Sequence, residues 1–190
     1  MPYPYRSVEA ALAELFRAKT DSQRSTLRAR INHLQRLAVI GLAPGKGRTA
    51  QYELEHIWRW VFCLELAEIG IAPATALALV QRYWKPALAE IFCDAQRAIE
   101  TGKEDVFLWL CGNSLMSLAW EPDSDRFAGV PHIGSIGPSD FKGVLKFLKD
   151  GVSPVKLKDS LPPRVCLVNL TSRLRVLNAS LATATKRDKG

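Results

Sequence analysis

Residues 25–52 read STLRARINHLQRLAVIGLAPGKGRTAQY, and the first half of this stretch has the periodicity of an amphipathic helix. At 100° per residue its apolar side chains fall within about 60° of one another, which predicts a single face directed at a core. These residues are Leu27, Ile31, Leu34 and Ala38. The stretch is therefore predicted to begin with a helix that is buried on one side only.

The second half of the stretch predicts a β-hairpin. Val39 to Leu42 and Thr49 to Leu54 are short runs typical of strands. Between them, Pro44 to Gly47 favours a tight turn, and Lys46 and Arg48 make the tip of the hairpin positive.

The glycines of this turn do not form a nucleotide-binding loop. A Walker A loop has four residues between its first glycine and Gly-Lys, and a Ser or Thr after the lysine. Here three residues separate Gly41 from the next glycine, and Lys46 is followed by Gly47. Pro44 also removes a backbone donor, and no helix is predicted directly after Arg48 to direct its positive end at a phosphate. The hairpin is therefore interpreted as a nucleic-acid contact.

Another predicted helix precedes the stretch. Apolar residues from Val8 to Phe16 repeat at helical spacing, Ser7 is a suitable cap, and the helix is predicted to end near Ala18. A polar break from Lys19 to Gln23 follows. The resulting order of helix, short linker, helix and hairpin is that of a winged helix-turn-helix, a DNA-binding arrangement.

The outer face of the second helix is predicted to carry small, amide and basic side chains without a carboxylate. Between Arg17 and Arg48 there are eight basic residues and one acidic residue, Asp21, in a chain of net charge +7. This concentration of charge favours an anionic partner, although a solvated basic face on a structural helix remains the alternative. The residues of the outer face are Ser25, Arg28, Ala29, Asn32, His33 and Arg36.

Two of these side chains are suited to read bases. Arg28 and Asn32 lie one turn apart and are predicted to bind guanine and adenine edges, respectively. Other residues are predicted to bind phosphates and set the register, with the hairpin tip also able to enter the minor groove. They are Arg24, Ser25, Arg36, Lys46 and Arg48.

Beyond the hairpin, the sequence predicts central helices and a small C-terminal α+β module, so the fold class is α+β. Glu53 to Ile69 is apolar around most of its circumference and must pack against two layers or a second chain. Pro73 to Tyr83 and Pro86 to Thr101 predict two more helices, separated at Pro86. The predicted domains are a winged helix-turn-helix at 1–72, a helical dimerisation segment at 73–101 and an α+β regulatory or interaction module at 102–190.

Within the last module, four strands and two helices are predicted. The strand candidates are Val106 to Cys111, Ser114 to Trp120, Phe127 to Ile136 and Val165 to Leu170, with a tight turn at Gly112-Asn113 between the first two. One helix is predicted at Ser139 to Lys149 and the final one at Thr171 to Leu181, and Ala182 to Gly190 is predicted to be a frayed tail.

Residues 25–52 resemble the recognition helix and wing of bacterial winged-helix transcription regulators. The next segment, YELEHIWRWVFCLELAEIGIAPATALALV, resembles the helices that follow the wing in the MerR family. In that family the first helices and wing bind a DNA half-site, and a later long helix pairs two protomers. By this resemblance Thr26-Leu27-Arg28 matches a Thr-Leu-Arg of the family, and Tyr52 matches the tyrosine that ends the wing and joins the candidate DNA-binding residues. The resemblance ends near Val80, and Thr49 and Ala50 replace the wing tyrosine and arginine.

Other functional classes are not indicated. The three histidines are scattered, nucleophile motifs are missing, and the four cysteines lack metal-ligand spacing, so neither an enzyme, a cofactor nor a metal site is expected. No window approaches the roughly 18 apolar residues of a membrane span, and the N-terminus does not have the pattern of a signal peptide. A cytoplasmic, nucleoid-associated protein is expected.

The sequence thus predicts a sequence-specific regulator of transcription that binds double-stranded DNA as a homodimer. Its C-terminal module would contact the transcription machinery or another protein partner. Two alternatives remain open. One is an architectural or mobile-element accessory protein that bends DNA with modest sequence preference. The other is a protein-interaction adaptor in which the basic helix is incidental.

Overall fold

The computed structural model of the chain describes residues 2–39, 51–111, 133–140 and 165–187. It contains helices and two small antiparallel sheets, which confirms the α+β class. The chain forms two compact units: an N-terminal unit of residues 1–84 and 172–190, and a central unit of residues 85–171. These units divide the chain at positions other than the predicted domain boundaries, and they assign most of the last helix to the N-terminal unit.

Among the described residues, the N-terminal unit contains helices and one short two-stranded ladder. Strand β1 (Tyr3–Pro4) pairs antiparallel with β2 (Gln51–Tyr52), with Tyr3 opposite Tyr52 and Pro4 opposite Gln51. The pairing ties the strand that precedes the first helix, which begins at Tyr5, to the strand that precedes the helix beginning at Leu54. The elements are β1 (Tyr3–Pro4), α1 (Tyr5–Leu15), α2 (Asp21–Arg36), β2 (Gln51–Tyr52), α3 (Leu54–Glu68), α4 (Pro73–Tyr83) and most of α6 (Leu170–Arg187).

Two predicted helix limits are corrected. Helix α1 begins at Tyr5 after Pro4, and Ser7, the predicted cap, is a buried residue in its first turn. Ala38, predicted to face the core from the second helix, is exposed and lies beyond the end of α2 with φ of 54°. A left-handed residue cannot continue a right-handed helix, so the apolar stripe ends at Leu34.

Helix α3 is the centre of the N-terminal core. It packs against α2 and α4, and the ring of Trp60 lies 4.9 Å from that of Tyr52 between centroids. The Arg173 side chain of α6 binds Glu65 of α3. Surrounding elements of the same chain therefore cover much of its apolar circumference, without a second chain. The buried residues of α3 are Ile57, Trp58, Trp60, Val61, Phe62, Cys63, Leu64, Glu65 and Leu66.

A π-helical turn, Trp84–Leu88, connects α4 to the central unit. The sequence places Pro86 inside this turn, and a proline removes one backbone donor and crowds the preceding turn. Prolines and π-helical turns are both places at which a long helix is interrupted or kinked. The predicted break at Pro86 is thus present as a change of helix type between α4 and the next helix.

In the part of the central unit that the structure describes, one α-helix accompanies a three-stranded antiparallel sheet. Strand β3 (Phe107–Cys111) is the middle strand, with β4 (Ile133–Ile136) on one side and β5 (Val165–Asn169) on the other. Strands β3 and β5 agree with the predicted strands within one residue, and β4 covers the last part of the candidate Phe127 to Ile136. The predicted strand Ser114 to Trp120 and most of the predicted helix Ser139 to Lys149 lie outside the described residues. Helix α6 extends to Arg187 through most of the predicted tail. The elements are α5 (Ala89–Thr101), β3 (Phe107–Cys111), β4 (Ile133–Ile136), a 3-10 turn (Pro138–Asp140) and β5 (Val165–Asn169).

Candidate nucleic-acid interface

The start of α2 is held by reciprocal hydrogen bonds. The Thr20 hydroxyl accepts from the backbone N–H of Gln23 at 3.2 Å, and the Gln23 side-chain oxygen accepts from the N–H of Thr20 at 3.0 Å. The same oxygen accepts from the N–H of Lys19 at 2.9 Å. These bonds satisfy backbone donors near a helix N-terminus. Residues 21–23 therefore belong to the helix and not to the predicted polar break.

The inner side of α2 agrees with the sequence pattern. Leu27, Ile31 and Leu34 are exposed by 6% or less. They lie four and three residues apart, so they form one stripe along the helix. This stripe faces the core of the N-terminal unit and determines which side of α2 remains at the surface.

The opposite side of α2 forms a line of four exposed residues, which we name the outer stripe: Ser25, Ala29, Asn32 and Arg36. Their spacing of four, three and four residues keeps them on one side of the helix over about 16 Å, at 1.5 Å per residue. The stripe offers a hydroxyl, an amide and a guanidinium group, with a small side chain at its centre. It contains no carboxylate.

Arg28, a predicted base-reading residue, is paired with α1. Its Nε and Nη2 atoms donate to Oε1 of Glu9 at 2.9 and 2.6 Å. The side chain of Arg28 is 58% exposed and that of Glu9 is 20% exposed, so the pair lies at the surface. The hydrogen bond to Glu9 raises the pKa of Arg28, which stays protonated. The edge of α2 that faces α1 thus lies beside an acidic group, Glu9, which belongs to α1.

Two other arginines of α2 also have partners within the N-terminal unit. Arg24 donates from Nε to the backbone oxygen of Ala18 at 3.2 Å, near the end of α1. Arg30 donates to Glu68 of α3 at 2.6 Å. Both side chains lie beside the outer stripe and help to hold α2 against its neighbours. Of the predicted phosphate contacts, Ser25 and Arg36 lie on the outer stripe itself.

Tyr52, a predicted DNA contact, is buried inside the N-terminal unit. It is 1% exposed, and its hydroxyl accepts from Nε2 of Gln35 at 2.9 Å. Its ring packs against those of Trp60 and Tyr5. Because both its ring and its hydroxyl are used inside the protein, Tyr52 lies outside the interface proposed below. The tip residues Lys46 and Arg48 lie outside the described residues.

Sequence reasoning missed two contributors to this surface. The Thr20 cap has a readable signal, since Thr-x-x-Gln is the pattern of a capping box. The Glu9 contact has none, because its partner lies 19 residues away and the pairing depends on how α1 crosses α2. Charge counted along the sequence therefore overstates the number of arginines that are available on α2.

Comparisons with known proteins provide no family assignment. No protein-family model matches the chain, and the curated proteins contain no significant match to it. Within the described ranges, no group of three or more His, Cys, Asp or Glu residues is placed to hold a metal ion. In the same part of the chain, no helix is long and apolar enough to cross a membrane.

Proposed function

We propose that the N-terminal unit binds double-stranded DNA through the outer stripe of α2 and that the protein is a sequence-specific transcriptional regulator. The observation that carries this proposal is the contrast between the two sides of α2. One side is buried along Leu27, Ile31 and Leu34, and the other offers polar and basic groups without an acid. An α-helix with this arrangement fits the width of the major groove, about 12 Å.

Asn32 is the main base-reading residue of the proposed interface. It is exposed near the middle of the outer stripe, and the asparagine amide can bind N6 and N7 of adenine together. Ser25 and Arg36 lie seven residues before and four residues after it, so they can reach the phosphates on either side. Asn32 thus specifies sequence, and the other two position the helix.

Arg28 can join this interface by exchanging its partner. Its pair with Glu9 lies at the surface on the arginine side, where the side chain is 58% exposed, and ion pairs at a protein surface contribute little to stability. A guanine edge or a phosphate oxygen therefore competes with Glu9 at small cost. In this proposal Glu9 restrains Arg28 in the free protein and is displaced when DNA binds.

The order of the N-terminal elements supports a winged helix-turn-helix. Helices α1 and α2 are joined by a short turn, and β1 is paired with β2 where the predicted hairpin ends. In this proposal the protein acts as a homodimer, since two recognition helices can then bind half-sites one helical turn apart. The C-terminal part of the chain would contact the transcription machinery or another protein partner.

Selection from a library of random duplexes tests the proposal. The full-length protein is expected to retain duplexes that share an inverted repeat, with a centre-to-centre distance of about 10 base pairs. Light scattering on the free protein measures whether its mass is that of a dimer. If the protein retains no duplex at physiological salt, or retains all sequences equally, sequence-specific regulation is excluded.

Two variants separate reading from positioning. Asn32→Ala is expected to lose about 1–3 kcal/mol of discrimination at one position of each half-site. Arg36→Ala is expected to weaken all duplexes similarly and to reduce the salt slope by about one. The controls are Gln81→Ala, which removes an exposed amide from α4, and Arg97→Ala, which removes an exposed arginine from α5. Equal effects of all four substitutions would contradict the assignment of the outer stripe.

A further inference from the structure

A cavity of about 470 Å³ lies within the N-terminal unit, separate from the outer stripe. Its walls come from three helices: α1 between Tyr5 and Ala13, the N-terminal half of α2, and Ala184 near the end of α6. Pockets that hold small organic ligands have volumes of about 300–1,000 Å³. The cavity is therefore large enough for a small organic molecule.

The charged groups that line this cavity are mainly basic. Arg6, Arg24 and Arg28 contribute three guanidinium groups, and Glu9 is the single acidic residue among the lining residues. The described bonds use one donor of Arg24 and two of Arg28, whereas each guanidinium group has five. Since Glu9 neutralises one charge at most, the cavity has an excess of about two positive charges.

Tyr5 adds a neutral donor to this wall. Its hydroxyl oxygen is buried and lies close enough to the Glu9 carboxylate for that group's charge and hydrogen bonding to raise its pKa. Burial, together with the nearby negative charge of Glu9, raises the pKa of Tyr5 to about 12. The hydroxyl therefore keeps its proton at neutral pH and can donate to an anion. Helix α1 also begins here, with no acidic residue in its first turn, so its dipole adds to the positive field.

The remaining wall is apolar, and three of its four side chains are alanines. Ala10, Ala13, Leu27 and Ala184 line it. Small side chains leave space beside the guanidinium groups, and they suit the carbon body of a ligand better than the hydration shell of an inorganic ion. The cavity thus combines a cationic end with an apolar wall.

We propose that this cavity binds a small organic anion that carries one carboxylate or phosphate group on a compact apolar body. The anionic group lies among Arg6, Arg24 and Arg28, where planar guanidinium groups can bind its oxygens in pairs. The apolar body lies against the alanine side chains. This inference does not rest on the proposed DNA binding, because ligand binding is measured without DNA.

Nuclear magnetic resonance titration of the full-length protein tests this inference. Benzoate and phenyl phosphate serve as probes, benzamide serves as the neutral analogue, and the ionic strength is kept constant. One or both anions are expected to shift the backbone signals of residues 5–13 and the Nε–H signals of the lining arginines in a saturable way. No saturable shift with either anion, or an equal response to benzamide, would overturn the proposal.

Two variants of the lining test the location of the ligand. Ala184→Phe fills the cavity without changing charge and is expected to abolish the shifts, while Arg6→Gln is expected to weaken binding about tenfold through loss of a charged hydrogen bond. The control, Arg82→Gln, removes an exposed arginine of α4 that does not line the cavity. Unchanged thermal unfolding of each variant verifies its fold. Unchanged affinity in both lining variants, or an equal loss in the control, would contradict this site.

Discussion

Helices α2 and α3 have nearly the same length, 16 and 15 residues, but they use their surfaces in opposite ways. Helix α2 buries three residues on one stripe, whereas α3 buries nine. A helix that is enclosed on most sides cannot present a binding surface, but it can hold its neighbours in place. The difference shows that α3 acts as the scaffold of the N-terminal unit and that α2 displays its polar side chains to solvent.

The largest expected effect concerns the scaffold helix. Trp60 is fully buried and packs against Tyr52. We expect Trp60→Ala to lower the free energy of unfolding by about 3–5 kcal/mol, because it removes a large apolar side chain and leaves a cavity. Asn32→Ala, on the outer stripe, is expected to change it by less than about 0.5 kcal/mol. Urea unfolding followed by circular dichroism measures both values, and equal losses would remove the contrast between the helices.

A smaller effect is expected where α6 meets the scaffold helix. Arg173 binds Glu65 through Nε at 2.8 Å, and burial raises the pKa of Glu65 although the charge of Arg173 lowers it. Since Arg173 is 36% exposed, we expect Arg173→Met to cost about 1–3 kcal/mol at neutral pH, less than for a fully buried pair. The loss comes from a buried carboxylate that no longer has its cation.

This loss should depend on pH in a defined direction. The folded state raises the pKa of Glu65 above its ordinary 4.5, so protonation of Glu65 favours the folded state. This contribution to stability is fully present below about pH 4.5 and is lost as pH rises through the pKa of the folded state. Removal of Arg173 raises that pKa further. The deficit of Arg173→Met relative to the wild type should therefore shrink as pH falls from 7 towards 4.5. A deficit that grows on acidification would contradict this account, and Glu65→Gln in the same variant should restore part of the loss.

Glu9 tests how far the exposed side of α2 is available for binding. This carboxylate holds Arg28 in the free protein. If the proposed DNA interface is correct, Glu9→Gln should strengthen duplex binding about two- to fivefold at low salt, because it frees a guanidinium group and removes a negative charge near the phosphates. Glu14→Gln, an exposed position on the same helix, is the control. Equal gains in both variants would mean that only net charge matters.

Effects on stability of about 1 kcal/mol or less are expected at the ends of the two helices. The first and second residues after the two cap residues, Leu37 and Ile69, donate the same pair of backbone bonds. The first of these residues is left-handed in both helices: Gly70 after α3 with φ of 85° and Ala38 after α2 with φ of 54°. Glycine adopts this conformation without steric cost, so Gly70→Ala should destabilise the protein by about 1 kcal/mol. Ala38→Gly should stabilise it by up to about 1 kcal/mol, reduced by the greater freedom of glycine in the unfolded chain. Thermal unfolding measures both, and changes of the same sign would contradict this reasoning.

Local features of the structure could be predicted from the sequence where a hydrophobic repeat or a helix-breaking proline determines them. The buried stripe of α2 follows from the spacing of Leu27, Ile31 and Leu34, and strands β3 and β5 follow from short runs of apolar residues. The break at Pro86 follows from its missing donor. The prediction for Ala38 was wrong because its apolar side chain continues the stripe, while its backbone turns left-handed to end the helix.

The candidate site was less predictable than the helix that carries it. Asn32 and Arg36 are exposed, as expected from the side of α2 on which they lie. The burial of Tyr52 was not predicted, because its place in the second predicted strand of the hairpin does not indicate that Gln35 and Trp60 contact it. The availability of Arg28 also depends on a residue of another helix. Each of these outcomes is a contact between distant residues, which periodicity along one helix does not report.

The amino-acid sequence is sufficient to establish the basic N-terminal region, the one-sided burial of α2 and the α+β class. These properties arise from composition and from side chains a few residues apart, whose directions are set by backbone geometry alone. The pairing of Glu9 with Arg28, the burial of Tyr52 and the return of α6 to the N-terminal unit, where Arg173 binds Glu65, appear only in the folded chain. They require residues far apart in sequence to meet, and the packing of all the helices together determines which of them do.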